Sequence, residues 1–93
     1  MHARVSTYEG GVDELVNAFD PATGAIQRLE GFCKAYFLID RAAGRGMSIT
    51  FWESEDALNV SAERAAEIRA RASDQAGATL ESVEHFEVAL TVG

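Results

Sequence analysis

The sequence has few of the residues that build disulfide frameworks, thiolate metal clusters and export signals. Its 93 residues include one cysteine, Cys33, one proline and one tryptophan. A single cysteine excludes an intrachain disulfide and a thiolate cluster built from one chain, and such usage is typical of a reducing cytoplasm. No basic start leads into an apolar run of signal-peptide length, and no window approaches the ~20 apolar residues of a membrane helix. We therefore expect a cytoplasmic protein that is neither exported nor inserted into a membrane.

Basic residues are also scarce. Eight Lys and Arg residues against fifteen Asp and Glu residues leave a formal net charge of −7. This charge repels phosphate backbones and anionic lipid headgroups, so neither nucleic acid nor a membrane surface is an expected partner. The hydrophobic fraction of 47% and the charged fraction of 25% are typical of a globular domain. The length predicts one domain over residues 1–93 with a modest core, a size at which oligomerisation adds buried surface.

The spacing of apolar residues predicts the element order βαββαβ. Two-residue alternation and β-branched or aromatic runs predict strands over residues 2–9, 32–40, 47–53 and 79–92. Three- and four-residue spacing predicts helices over residues 12–30 and 54–76. Asp20 and Pro21 interrupt the first helix, because proline removes a backbone donor, so we expect a kink or a restart there.

The second and third strands are apolar on both faces. An antiparallel sheet with one wet face should alternate apolar and polar residues, and these two strands do not. Two helices can cover only one face of a four-stranded sheet, so the other face should either meet another chain or remain an exposed apolar patch, and the first outcome is the more economical. The pattern therefore predicts a homodimer through the sheet face opposite the helices. The residues expected to be buried across it are Phe37, Ile39, Ile49 and Phe51.

Short motifs at the element junctions resemble a known family. These are EGF at residues 30–32, ITFWES at residues 49–54 and the long last strand. With the order βαββαβ, they resemble the antibiotic biosynthesis monooxygenase type of dimeric α+β barrel, over essentially the whole chain. The resemblance implies an α+β, ferredoxin-like fold and a cofactor-independent monooxygenase that acts on a small aromatic or polyketide-like molecule. The same superfamily includes haem degraders and proteins with no assigned activity, so the fold does not fix the chemistry.

The haem-degrading branch of that family uses an asparagine in strand one and a tryptophan and a histidine on the second helix. Counted from the shared glycine and the Trp-x-Ser corner, those places fall at Ala3, Ser61 and Arg71. None of these three positions holds the residue that the haem-degrading branch uses there, so haem is not an expected substrate.

The same counting orients the sheet. It turns Ala3, and by the two-residue period Val5 and Thr7, toward the helices, together with the strand-three residues Ser48, Thr50 and Trp52. A hairpin register in which paired residue numbers sum to an even value places Tyr36 and Lys34 beside Thr50 and Trp52. The residues expected to bind a ligand in the cleft are Thr7, Tyr36, Ser48, Thr50 and Trp52. Each of them could instead be a packed side chain with a satisfied hydroxyl, and we expect Trp52 to serve packing first and ligand contact second.

Two histidines are available for acid–base chemistry. His85 lies in the middle of the last strand and is the candidate catalytic base, because only histidine titrates near neutral pH without a perturbed pKa. A lone strand histidine is more often structural, and His2 lies at a chain end. No paired His, Cys or carboxylate spacing predicts a metal site, and no cofactor is expected. Three interpretations stay open: the monooxygenase, a non-catalytic ligand-binding or stress-response module, and a structural dimer with a filled interior.

Overall fold

The computed structural model describes all 93 residues, Met1–Gly93. Its elements follow the expected order, with each helical segment divided in two. The strands are β1 (His2–Glu9), β2 (Phe32–Asp40), β3 (Arg45–Trp52) and β4 (Thr79–Glu87). The helices are α1 (Val12–Phe19), α2 (Thr23–Gln27), α3 (Glu55–Val60) and α4 (Ala62–Ala76).

The helix breaks have local causes. A 3₁₀ turn over Asp20–Ala22, which contains the only proline, separates α1 from α2, so the expected interruption is confirmed. The helix α3 begins at the predicted cap, where the Ser54 hydroxyl accepts a hydrogen bond from the Ala57 N–H at 3.1 Å. The strand β4 is shorter than predicted. It ends at Glu87, which pairs with His2 near the start of β1, so residues beyond it have almost no strand to pair with.

The four strands form one antiparallel sheet in the order β2-β3-β1-β4. The helices pack on one face of this sheet, where they enclose a core of Tyr8, Leu15, Phe19, Ile68 and Ala72. This arrangement confirms the predicted α+β, ferredoxin-like fold. None of the helices combines the length and the apolar character that crossing a membrane requires.

The register of the β2–β3 hairpin differs from the predicted one. Phe32 pairs with Trp52, as an even sum requires, but an irregularity between Phe32 and Lys34 then shifts the pairing by one residue. From that point Tyr36 pairs with Ile49 and Phe37 pairs with Ser48. A one-residue slip sends every later side chain to the opposite face, so the predicted positions of Tyr36 and Phe37 are wrong.

The orientation predicted for β1 is also wrong. Tyr8 lies in the core beneath the helices, so the two-residue period places Arg4 and Ser6 on the same side. Thr7 and its period-two neighbours therefore lie on the other side, which we call the open face. The open face consists of Ala3, Val5, Thr7, Lys34, Tyr36, Leu38, Met47, Ile49, Phe51, Ser82, Glu84 and Phe86.

The predicted dimer residues divide between the two faces. Ile49 and Phe51 lie on the open face, as expected. Phe37 instead packs under the helices, with its ring centroid 5.2 Å from that of Phe19, and Ile39 shares its side of β2. The open face exposes about half of the surface of three large side chains, namely Tyr36 (52%), Leu38 (50%) and Phe86 (51%).

Candidate functional site

A cavity of about 150 Å³ lies between the sheet and the helices, and it is partly open to solvent. Its apolar wall includes Phe19, Ile26, Ala35, Phe37, Trp52, Ala65 and Ile68. Its polar groups belong to Arg4, Ser6, Thr23, Ser48, Thr50 and Arg69, and Tyr36 borders it. A mostly apolar pocket with a few polar groups is the usual composition of a small-ligand site.

Trp52 forms one wall of this cavity and is fully buried. Its ring lies edge-on to Phe32, with the centroids 5.6 Å apart. Its indole N–H donates a hydrogen bond to the Thr50 hydroxyl at 3.0 Å. The indole is therefore fixed both by packing and by a polar contact, and it orients the Thr50 hydroxyl at the cavity wall.

Arg4 is the most deeply buried cation, with 3% of its surface exposed. Its Nη2 donates to the Leu58 carbonyl at 2.7 Å and lies 3.5 Å from the Ser61 hydroxyl, while its Nε donates to His85 Nε2 at 3.3 Å. The guanidinium carbon lies 5.5 Å from the centre of the Trp52 ring. The remaining nitrogen, Nη1, is buried and has no hydrogen-bond acceptor.

Arg69, on α4, is the second cation in the cavity wall. Its Nε is also buried and without an acceptor. Burial lowers the pKa of Arg69, and burial followed by the charge of Arg69 lowers the pKa of Arg4 to about 10. Both guanidinium groups therefore remain charged at neutral pH, close enough for their charges to repel.

No carboxylate lines the cavity to balance these two charges. Each ion pair of the chain involves a different basic residue; the pairs are His2–Glu55, Arg41–Asp13 and Arg64–Glu67. The positive charge of the cavity thus stands uncompensated inside a chain whose net charge is −7.

Tyr8 and Ser48 share a polar contact at the base of the site. The two hydroxyl oxygens are 3.3 Å apart, and Ser48 reaches the cavity while Tyr8 is fully buried behind it. Burial is the main cause that raises the pKa of Tyr8, so this phenol stays protonated at neutral pH.

His85 lies on β4 outside the cavity wall, and its side chain is exposed. Partial burial, and then the charges of Arg4 and Arg69, lower the pKa of His85. A neutral imidazole is consistent with its role as the acceptor of the Arg4 N–H. Its role as a catalytic base stays a prediction.

The structure brings together three of the predicted ligand-binding residues, namely Ser48, Thr50 and Trp52. It places Thr7 outside the cavity and Tyr36 at its border. Thr7 lies on the open face, and the Tyr36 ring packs there against Phe51 with the centroids 6.2 Å apart, because the bulge after Phe32 reverses the faces of β2. Sequence reasoning missed the cavity residues Arg4, Ser6 and Arg69. The available signal was the alternation of Arg4, Ser6 and Tyr8, which puts three polar groups on one face of β1.

The three positions compared with the haem-degrading branch do not meet at the cavity. Ala3 lies on the open face, and Arg71 is exposed on α4. Ser61 is buried, and its hydroxyl donates to the Leu58 carbonyl at 2.9 Å. No group of three His, Cys, Asp or Glu side chains is placed to hold a metal ion.

Comparison with known proteins gives one family and several full-length structural matches. The model of the family described as "Antibiotic biosynthesis monooxygenase" matches residues 1–61. The haem degrader MhuD of Mycobacterium tuberculosis, solved with two haems bound in its active site, is 28% identical, with 100% of both chains covered and a TM-score of 0.79. SnoaB, a cofactor-independent oxygenase of Streptomyces nogalater, is 18% identical, with 98% of this chain and 95% of that chain covered and a TM-score of 0.74.

A curated relative extends further than this chain. An uncharacterized protein of Mycobacterium tuberculosis is 33% identical over 75 residues, which are 81% of this chain and 33% of the relative. The chain thus spans about a third of the length of the curated relatives it matches.

Proposed function

The chain belongs to the antibiotic biosynthesis monooxygenase family, and from that premise we propose that its cavity holds a small aromatic or polyketide-like molecule, which the protein oxygenates without a bound cofactor. The observation that carries the proposal is the cavity itself, in which hydroxyls of Ser48 and Thr50 stand among aromatic and aliphatic walls. Because the curated relatives are longer, the proposal concerns the activity of these 93 residues as one domain.

The proposed reaction uses the electrons of the substrate. An electron-rich phenol or enolate, once deprotonated, reacts with dioxygen. One oxygen atom forms a new carbonyl on the ring, and the other leaves as water with the two hydrogens that the substrate loses. The chain contributes position and protection: Thr50 and Ser48 orient the substrate oxygens, while Trp52 and Phe37 keep water from the reactive intermediate.

His85 requires a separate assignment. It lies behind Arg4 and does not reach the cavity wall, so we assign it a positioning role through the 3.3 Å contact with Arg4 Nε. The general-base role expected from the sequence is tested by His85→Gln. Loss of turnover with no change in ligand affinity supports the base, whereas weaker binding with unchanged turnover at saturation supports positioning.

A specific observation favours a second candidate function, a non-catalytic ligand-binding module. No imidazole, thiol or carboxylate lines the cavity, so the wall offers no conventional base. In this interpretation the same aromatic molecule binds and leaves unchanged.

The test follows dioxygen uptake and binding together. Resorcinol and phloroglucinol, two electron-rich phenols with a single ring, serve as substrates, and the fluorescence of Trp52, the only tryptophan, reports binding. Thr50→Val should lower kcat/KM by about tenfold or more, because it removes a hydrogen bond to a developing charge. Thr79→Val makes the same change at an exposed residue of β4 outside the cavity wall, so it is the matched control and should leave kcat/KM unchanged. Binding without uptake identifies the binding module; neither binding nor uptake contradicts both candidates.

We also propose that two copies associate through the open face, and that the protein works in the cytoplasm. The half-exposed side chains of Tyr36, Leu38 and Phe86 support the first proposal, since large apolar side chains left exposed on an uncovered sheet face are typical of an interface. The free, exposed thiol of Cys33 is compatible with the second, because a reducing compartment keeps it unpaired.

A further inference from the structure

The charge of the cavity is opposite to the charge of the protein. The chain carries a net charge of −7, yet the cavity wall holds two arginines and no acidic residue. Lys, Arg, Asp and Glu are rarely buried without a partner, because a buried charge needs hydrogen bonds or an opposite charge. Arg4, with 3% of its surface exposed, has neither a carboxylate nor a full set of acceptors.

The two arginines that line the cavity each have one buried nitrogen without a hydrogen-bond acceptor. Arg4 Nη1 and Arg69 Nε are two of the three buried side-chain nitrogen or oxygen atoms that have no hydrogen-bond partner, and both residues line the cavity. The third is His2 Nδ1, outside the cavity wall. Buried donors without an acceptor are rare, so both guanidinium groups lack the full set of acceptors that a buried cation usually has.

The rest of the wall sets the size and character of that ligand. A cavity of about 150 Å³ accommodates one benzene-sized ring. The Trp52 and Phe37 side chains offer such a ring apolar contact, while the guanidinium groups of Arg4 and Arg69 offer N–H donors.

Resting on the proposed function, we infer that the ligand of this cavity is a single aromatic ring that carries an anionic oxygen, a carboxylate or a phenolate, which accepts hydrogen bonds from Arg4 and Arg69. The two cations bind the anionic oxygen and do not select among substituents elsewhere on the ring. For a phenol they also stabilise the deprotonated form, which is the form that reacts with dioxygen, so the phenol loses its proton to water and needs no general base in the cavity wall.

The experiment compares ligands of equal shape and different charge by Trp52 fluorescence. Benzoate is the anion, and benzamide is its neutral counterpart. Benzoate should bind about tenfold or more tightly than benzamide, because hydrogen bonds to charged groups are the stronger ones. In Arg69→Gln that preference should fall to about threefold or less. Arg71→Gln removes the same charge two residues along α4, outside the cavity wall, and should keep the preference.

A third probe, 4-nitrophenol, distinguishes the two anions, since its phenolate is yellow and its neutral form is not. Binding should lower its pKa in the parent and in Arg71→Gln but not in Arg69→Gln. A benzoate preference alone identifies a carboxylate ligand, and a lowered pKa of bound nitrophenol identifies a phenolate. Equal binding of benzoate and benzamide with no change in the nitrophenol pKa overturns the inference while the ligand cavity stands. Failure of all three probes to bind at millimolar concentration overturns the inference and the proposed cavity function together.

Discussion

At the residue scale, Trp52 joins the packing of the domain to its cavity. It is fully buried, so Trp52→Ala should cost about 3–5 kcal/mol of the free energy of unfolding, as truncation of a buried aromatic side chain typically does. Tyr36 is 52% exposed, and Tyr36→Phe should change that free energy by less than about 1 kcal/mol. Denaturant melts measure both. If Trp52→Ala melts like the parent but no longer binds benzoate by titration calorimetry, Trp52 contributes mainly to the site and the packing-first prediction is wrong.

His85 provides a pH-dependent signal of the charged cavity. Partial burial and the charges of Arg4 and Arg69 lower its pKa in the folded chain. Between the two pKa values, His85 is therefore protonated to a greater extent in the unfolded chain than in the folded chain. The contribution of His85 to stability is present above its unfolded pKa of about 6.5 and is lost as the pH falls through that value toward the lower folded pKa.

The corresponding prediction concerns the midpoint of the His85 titration followed by NMR. It should lie below about 6.5 in the parent and rise toward that value in Arg69→Gln, which removes one of the two repelling charges. Arg71→Gln should leave the midpoint in place. Other charged or titratable groups near His85 are His2, Glu55 and Glu87, so Glu55→Gln is measured as well. A parent midpoint above the usual value shows that the carboxylates prevail over the arginines.

At the scale of elements, the order of strands and helices was predictable and the register was not. The periodicity of apolar residues indicates which side of each element is buried, and glycine and proline residues indicate where the elements end. The bulge between Phe32 and Lys34 leaves no such mark, since both faces of β2 are apolar and the pattern fits either register. The cavity position of Arg4 was missed for a related reason. An arginine in a strand is usually expected to face solvent, whereas Arg4 is buried and lines the cavity.

The junction between α2 and β2 depends on Gly31. This residue has φ of +81°, and an added Cβ would overlap the Cβ of Ala57 on α3. Gly44, in the β2–β3 turn, has φ of +67° but open space around it. Gly44→Ala should therefore cost only the backbone strain, about 1–2 kcal/mol, and Gly31→Ala should cost clearly more. Thermal melts of both variants make the comparison. Equal losses of stability in the two variants would show that the contact between Gly31 and α3 adjusts without cost and does not hold the cavity wall in place.

At the scale of the whole molecule, the volume and the wall of the cavity restrict which of the ligands bound by similar proteins can fit. MhuD, a haem degrader, is 28% identical over the full chain, so haem is a natural candidate to test. A cavity of about 150 Å³ is smaller than the ~300–1,000 Å³ of a site for a drug-sized ligand, and its wall contains no histidine to act as an axial ligand. We predict that haem titration gives no stoichiometric complex. A sharp Soret shift at one or two equivalents, followed by ring opening with a reductant, would prove this prediction wrong.

The last prediction concerns the open face, which the helices leave uncovered. Two four-stranded sheets that meet there should bury more than about 1,000 Å² in total, enough for a specific interface. Phe86 lies on β4 within this face and is 51% exposed, so Phe86→Glu places a charge in the expected contact. The substitution removes an aromatic contact and buries a charge that has no partner, so it should weaken association by about 100-fold or more.

Val60→Glu is the matched control, because Val60 is 79% exposed at the end of α3, away from the open face. Sedimentation velocity at micromolar concentration should show a dimer for the parent and for Val60→Glu, and a folded monomer for Phe86→Glu. Each protomer carries a net charge of −7, so added salt should strengthen the parent dimer by screening the repulsion between the two copies. A parent that sediments as a stable, folded monomer contradicts the proposed dimer. The half-exposed side chains of Tyr36, Leu38 and Phe86 would then remain in contact with water.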